Sequence, residues 1–183
     1  MIPSKLANYL QPEDRIIGVE YQGEARAYPI KILNWHECIN DHIGKIKYAV
    51  TYCPLSDSAV VFDRRVKGKV LEFGISGLLY QSNMLLYDRS YCGEEESLWS
   101  QMKGEAVAGP KTGTRLERLP FQMVHWETWL KNYPESTVLS LSTGHQRCYD
   151  INVYSEYLTN DIIRFPYDHK NNLLKKKERV LGV

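Results

Sequence analysis

No run of this 183-residue sequence is long and apolar enough to cross a bilayer as a helix, which takes about 20 predominantly apolar residues. Nor does one charge dominate: 23 Lys and Arg against 22 Asp and Glu leave a formal net charge of +1. Nucleic acid and anionic membrane surfaces are therefore not expected partners, since both select for a concentrated positive field. The four cysteines, Cys38, Cys53, Cys92 and Cys148, include no CxxC pair. A local dithiol–disulfide cycle is thereby excluded, and a chain of this size needs no disulfide staples. Phosphate-cradling glycine loops, nucleophile elbows and HExxH helices are also missing, and with them the usual signatures of nucleotide, acyl-transfer and metalloprotease chemistry. Met1-Ile2-Pro3-Ser4-Lys5 opens no apolar stretch of the kind that directs export, and the compartment is left open.

What is present suits a folded protein that buries a sizeable core: 43% hydrophobic and 25% charged residues. Thirteen tyrosines and frequent β-branched residues favour strands. Arg15 to Tyr21 and Glu24 to Tyr28, separated by Gln22-Gly23, read as a hairpin. Pro29 suits a first helical position, predicting a helix over Ile30 to Asn40 with Leu33, His36 and Asn40 on one face. Asp41-His42-Ile43-Gly44 would end it. Ile46 to Cys53 alternates cleanly, with Ile46, Tyr48, Val50 and Tyr52 on one side and Lys47, Ala49, Thr51 and Cys53 on the other. After a turn at Pro54 to Asp57, strands are expected at Ser58 to Arg64, Lys69 to Gly74, Met84 to Asp88 and Val138 to Leu141. Helices are expected at Glu95 to Met102 and at His125 to Lys131, and Arg147 to Lys177 reads as ordered loop. The fold class is α+β, a mainly antiparallel β sheet or partly open barrel with a few short helices. Residues 1–14 form an N-terminal arm and 15–177 a single globular β-rich domain. Glu178-Arg179-Val180-Leu181-Gly182-Val183 repeats Asp14-Arg15-Ile16-Ile17-Gly18-Val19 with conservative changes, so 178–183 would begin a second, related unit. The basic cluster Lys175 to Lys177, followed by Glu178, reads as a solvated linker.

Cys53 is the first candidate for chemistry. It sits where strand becomes loop, a usual place for functional groups, and a thiolate there could attack an electrophile or ligate a soft metal. Its bland alternative is a small buried hydrophobe. His36, in Trp35-His36-Glu37, could be a metal ligand or general base, with Glu37 or Asp41 accepting from its other ring nitrogen, or simply a buried neutral imidazole. Copper or zinc on Cys53 and His36 would need a further ligand, for which His125 and His145 are the candidates. Ser56 could donate a hydrogen bond to the sulfur. Tyr80, Ser82, Asp88, Trp99 and Gln101 are candidate contacts for a small ligand, with Ser76-Gly77 and Tyr80 to Asn83 as polar wall. Tyr52, Tyr80, Tyr87 and Trp99 could line an aromatic pocket, although tryptophan on a short helix is more often a core anchor. Asp88 and Arg89 could form an ion pair.

Several of these stretches occur together in one order: Gly23 to Pro29, Asn34-Trp35-His36-Glu37, Thr51 to Leu55 with Ser58 to Arg64, Ser76 to Tyr80, Met84 to Arg89, and Ser97 to Gln101. In this the chain resembles domain-of-unknown-function family 3179 over roughly Arg15 to Val183. The resemblance implies a longer typical protein in which an AYP-type segment returns, and relatives that are often exported; it implies no particular reaction. The family's TYCPLC pattern has Ser56 in place of its second cysteine here, and Tyr91-Cys92-Gly93-Glu94 reads as an insertion in which Cys92 could stand in for the lost thiol. Two functional expectations follow: a thiol- or metal-dependent, redox-linked site built on Cys53, His36 and Ser56, or a non-catalytic module for a small ligand or peptide. A third is purely structural. Whether the protein is an enzyme is open at this level.

Overall fold

The computed structural model describes residues 1–90, 95–168, 173–178 and 180. In chain order the first strands are β1 (Ile2–Pro3), β2 (Arg15–Tyr21) and β3 (Glu24–Pro29), followed by α1 (Ile30–His36). Next come β4 (Cys38–Ile43), β5 (Ile46–Cys53), β6 (Ser58–Asp63), β7 (Arg65–Val66) and β8 (Lys69–Val70). Then follow β9 (Phe73–Tyr80), β10 (Asn83–Asp88), β11 (Leu98–Ser100) and β12 (Glu105–Ala108). The chain continues through β13 (Arg118–Leu119), β14 (Gln122–His125), α2 (Trp126–Asn132), β15 (Thr137–Val138) and α3 (Ser155–Leu158).

The alternation along β5 decides how these pieces stack. Tyr48, Val50 and Tyr52 pack with Ile17, Val19, Tyr28 and Leu33 from β2, β3 and α1. From the other face, Ala49 and Cys53 pack with Phe73, Met84, Leu86 and Trp99 from β9, β10 and β11. A strand buried on both faces must sit in a middle layer. That layer is the sheet β13-β6-β5-β4. On one side lies the sheet β1-β15-β3-β2-β14, on the other β12-β11-β10-β9. Pairing is antiparallel except between β15 and β3. Trp126 and Trp129 of α2 cover the outer face of the first sheet with Ile16 and Ala27. The protein is thus a β-rich α+β fold of antiparallel sheets and short helices, and among the described residues no sheet closes into a barrel. No described helix is long and apolar enough to cross a membrane. The hairpin between β2 and β3 turns through Gln22 and Gly23 at φ 55° and 81°, the positive values a two-residue turn of this hand requires.

Several expectations are corrected. The helix predicted to Asn40 ends at His36, because Glu37 takes the left-handed conformation at φ 56°. Cys38 to Ile43 then becomes β4 and pairs along β5 from Cys38 opposite Thr51 to Ile43 opposite Ile46. The shared face of Leu33, His36 and Asn40 therefore does not form. Asn40 instead brackets the Phe73 backbone, donating to its carbonyl at 2.8 Å and accepting from its amide at 2.9 Å. The helix expected at Glu95 to Met102 is replaced by β11, inserted between β10 and β12. In both places an open sheet edge offered a ladder of hydrogen bonds, and tertiary pairing overrode weak helical periodicity. The strand expected at Val138 to Leu141 contracts to β15, and the Arg147 to Lys177 stretch carries one short helix, α3. β1 pairs with β15, so the first residues join a sheet edge. Tyr91 to Glu94, the expected insertion with Cys92 in it, and most of the expected repeat at Glu178 to Val183 lie outside the described residues.

Candidate functional site

Cys53 ends β5 and is 1% exposed. It borders a cavity of about 230 Å³ whose wall also includes Glu37, Leu55, Met84, Tyr154 and Phe165. The turn that follows, Pro54 to Asp57, is pinned from two sides. Asp57, at φ 46°, receives Arg15 at 2.9 Å and the Tyr52 hydroxyl at 2.8 Å. Ser56 Oγ meets Ser58 Oγ at 2.8 Å and accepts from Asn83 at 3.1 Å. Ser56 is thus engaged by Ser58 and Asn83, the latter reached from β10.

Glu37 is brought to the same cavity by its backbone. Its left-handed turn reverses the chain between α1 and β4 and is held by two hydrogen bonds: its N–H donates to Leu33 at 2.8 Å, and its carbonyl accepts from Tyr52 at 2.8 Å. Such a conformation in a non-glycine residue costs on the order of 1–3 kcal/mol and persists only where surroundings enforce it. Burial raises the Glu37 carboxyl above its ordinary pKa, opposed by the hydrogen bond it accepts from Tyr154 at 3.1 Å. The Tyr154 phenol is itself pushed up to about 12 by burial and by that carboxylate, so it stays a donor. Tyr154 borders the same cavity as Cys53.

His36 goes elsewhere. Its Nε2 lies 2.7 Å from the Tyr149 hydroxyl, which in turn meets Thr143 Oγ1 at 2.6 Å. The ring faces His145 at 5.4 Å between centroids. Burial, then His145 and Arg147, lower its pKa. Neighbouring residues of one motif therefore grip one loop at two points, His36 through Tyr149 and Glu37 through Tyr154. Of these two side chains, it is Glu37, and not His36, that lines the cavity of Cys53.

The donor set for copper or zinc is not assembled: among the described residues no group of three or more His, Cys, Asp or Glu side chains could hold a metal ion. His125 borders a different pocket, beside Arg15 and Asp57, and His145 stands beside His36. The ligand-contact candidates are dispersed. Trp99 is 0% exposed, sits edge-to-face against Phe73 at 5.7 Å and is a core anchor on a strand. Asp88 is buried, accepting from the Ser97 amide at 2.7 Å and Trp99 Nε1 at 2.9 Å and pairing with Lys111 at 2.5 Å; Arg89 turns to Glu72. Gln101 accepts from Asn83 at 2.8 Å in the core. Tyr80 is exposed beneath Lys103, and Ser82 donates to the Phe165 carbonyl at 2.7 Å. Tyr154 is not among the candidates from sequence; the signal for it is the clustering of Tyr149, Tyr154 and Tyr157 within nine residues.

Fold and cavity together define a layered, β-rich α+β protein with a cysteine-bordered pocket. The chain belongs to DUF3179, a family described as protein of unknown function, whose model matches residues 1–183. Comparison with curated proteins and with solved structures finds no match.

Proposed function

We propose that the Cys53 cavity is a thiol-centred site for a small molecule, with Cys53 Sγ as nucleophile and the Glu37 carboxylate as the group that takes up its proton. One observation carries the reading: a thiol and a carboxyl of raised pKa border the same small cavity. A carboxyl whose pKa is raised toward neutrality is a better proton acceptor than an ordinary one. Addition to an electrophilic carbon then balances without an outside reagent. The S–C bond forms, the thiol proton passes to Glu37, and Glu37 returns it to the ligand atom that received the electron pair. Tyr154 holds the carboxylate in place and His36 holds the loop that carries Tyr154. The volume is below the roughly 300–1,000 Å³ usual for drug-sized ligands, so the ligand is small. A non-catalytic pocket is the second reading, favoured by the apolar wall of Leu55, Ile75 and Met84.

Acrylamide, an activated alkene of suitable size, tests both. We expect Cys53 of the folded protein to be labelled ahead of Cys38, whose thiol burial pushes up to about 12. The pH–rate profile at Cys53 should carry an inflection that vanishes in Glu37→Gln. Labelling of Cys53 only after unfolding, or an identical profile in Glu37→Gln, would leave the pocket reading in its place.

A further inference from the structure

Asn34, on α1, is 8% exposed, yet its carboxamide makes no hydrogen bond to any described residue. Its amide nitrogen and oxygen keep contact with solvent, so both stand free to pair with a bound molecule. A cavity of about 300 Å³ opens on this side chain, walled also by Arg15, Lys31, Tyr52, Tyr149 and Leu158. It lies across β5 from the thiol cavity, since Tyr52 and Cys53 point to opposite faces of the strand.

The two cations and the two tyrosine hydroxyls of that wall are already engaged. Lys31 Nζ is 2.8 Å from Asp14 and 3.5 Å from Asp150. Arg15 is paired with Asp57 at 2.9 Å. The Tyr52 hydroxyl donates to Asp57, and that of Tyr149 is shared by His36 and Thr143. With both cations neutralised and Glu13, Asp14 and Asp150 at the wall, an anion has nothing to recruit it. Asn34 presents an open donor and acceptor side by side on one carboxamide, above the aromatic and aliphatic surface of Tyr52, Tyr149 and Leu158.

We infer that this cavity binds a neutral, hydroxyl-bearing ring, a monosaccharide or cyclic polyol, with Asn34 bridging two adjacent hydroxyl groups. Each hydroxyl both donates and accepts, so a vicinal pair matches the carboxamide, while the C–H face of the ring rests on Tyr52, Tyr149 and Leu158. The site is independent of the thiol chemistry.

Ligand-observed NMR and calorimetry on the full chain test it, with glucose, galactose, N-acetylglucosamine and myo-inositol as neutral probes and phosphate and choline as charged ones. At least one neutral probe should bind. Asn34→Leu, which removes no hydrogen bond to a described residue, should weaken that binding about tenfold or more, the effect of one hydrogen-bonded group, with an unchanged circular dichroism spectrum. If Asn34→Leu does not fold, Asn34→Asp keeps the shape, loses the donor and should weaken binding likewise. Binding should survive Cys53→Ser. The inference is overturned if no neutral probe binds, if only phosphate or choline binds, if replacing Asn34 leaves affinity unchanged, or if Cys53→Ser abolishes binding.

Discussion

Glu37 carries opposing demands at a single position. Its backbone must enter the left-handed region to turn α1 into β4, and its carboxyl is drawn into a poorly solvated cavity. Because its folded-state pKa is raised, its contribution to stability is fully present below the ordinary carboxylate range and is lost as pH rises through the folded-state value. Glu37→Gln keeps an acceptor for Tyr154 and removes the ionised form. We therefore expect it to melt higher than the parent at pH 7, with the difference closing at acidic pH. About 1 kcal/mol recovered corresponds to roughly 2–4 °C in a domain of this size, measurable by thermal denaturation across pH. A lower melting temperature at pH 7 would mean that the ionised carboxylate is a net stabiliser. Asp88 shows the opposite case, a buried carboxylate compensated by a lysine, an indole and a backbone amide. Asp88→Ala should cost about 1–3 kcal/mol, the penalty of leaving the buried Ser97 amide and Trp99 indole without an acceptor, read by urea unfolding.

Among elements, β2 and α2 meet through an absence. Gly18 in the middle of β2 has no side chain because the ring of Trp129 occupies that space: a Cβ built there would lie 2.2 Å from Trp129 Cζ3. The indole has little freedom to move aside, being 0% exposed and donating to Ser136 Oγ at 3.1 Å. Gly18→Ala should therefore destabilise by about 1–3 kcal/mol through overpacking. Pairing it with Trp129→Phe should recover part of that loss, an interaction visible in a double-mutant cycle. Independent, additive effects would mean that α2 shifts as a body instead.

Across the whole molecule, stability is unevenly spread. The three larger sheets share clusters of buried side chains, whereas residues 143–158, apart from the single turn of α3, are irregular, largely exposed and anchored through Tyr149, Tyr154 and Tyr157. Such segments open at low free energy. His36 ties this loop down, and its pKa is depressed by burial, His145 and Arg147. The loop's anchorage is thus fully present above the ordinary imidazole range and is lost as pH falls through it toward the lower folded-state value. Hydrogen exchange, corrected for intrinsic rates, should show residues 143–150 opening faster at pH 5 than at pH 7. His36→Gln should flatten that difference, while exchange in β5 stays unchanged. Equal pH dependence in parent and variant would assign the effect to groups other than His36.

Local chemistry by itself determined the hairpin at Gln22-Gly23, the alternation of β5, the turn after Cys53 and helix α2, because each is specified by neighbours within a few residues. It also placed Cys53 at the rim of a strand. The partner of that thiol was decided only by tertiary structure. His36 and Glu37 are adjacent in sequence, and a continued helix would have aimed His36 along the face of Leu33. One left-handed residue ended the helix, turned the following segment into β4 and presented Glu37 to the cavity instead. Trp99 was likewise assigned to a helix by weak periodicity and to a strand by the open edge of β10. Asn34 and Tyr154 acquire meaning only when α1, β5 and a loop more than a hundred residues away come together, and no spacing along the chain encodes that distance.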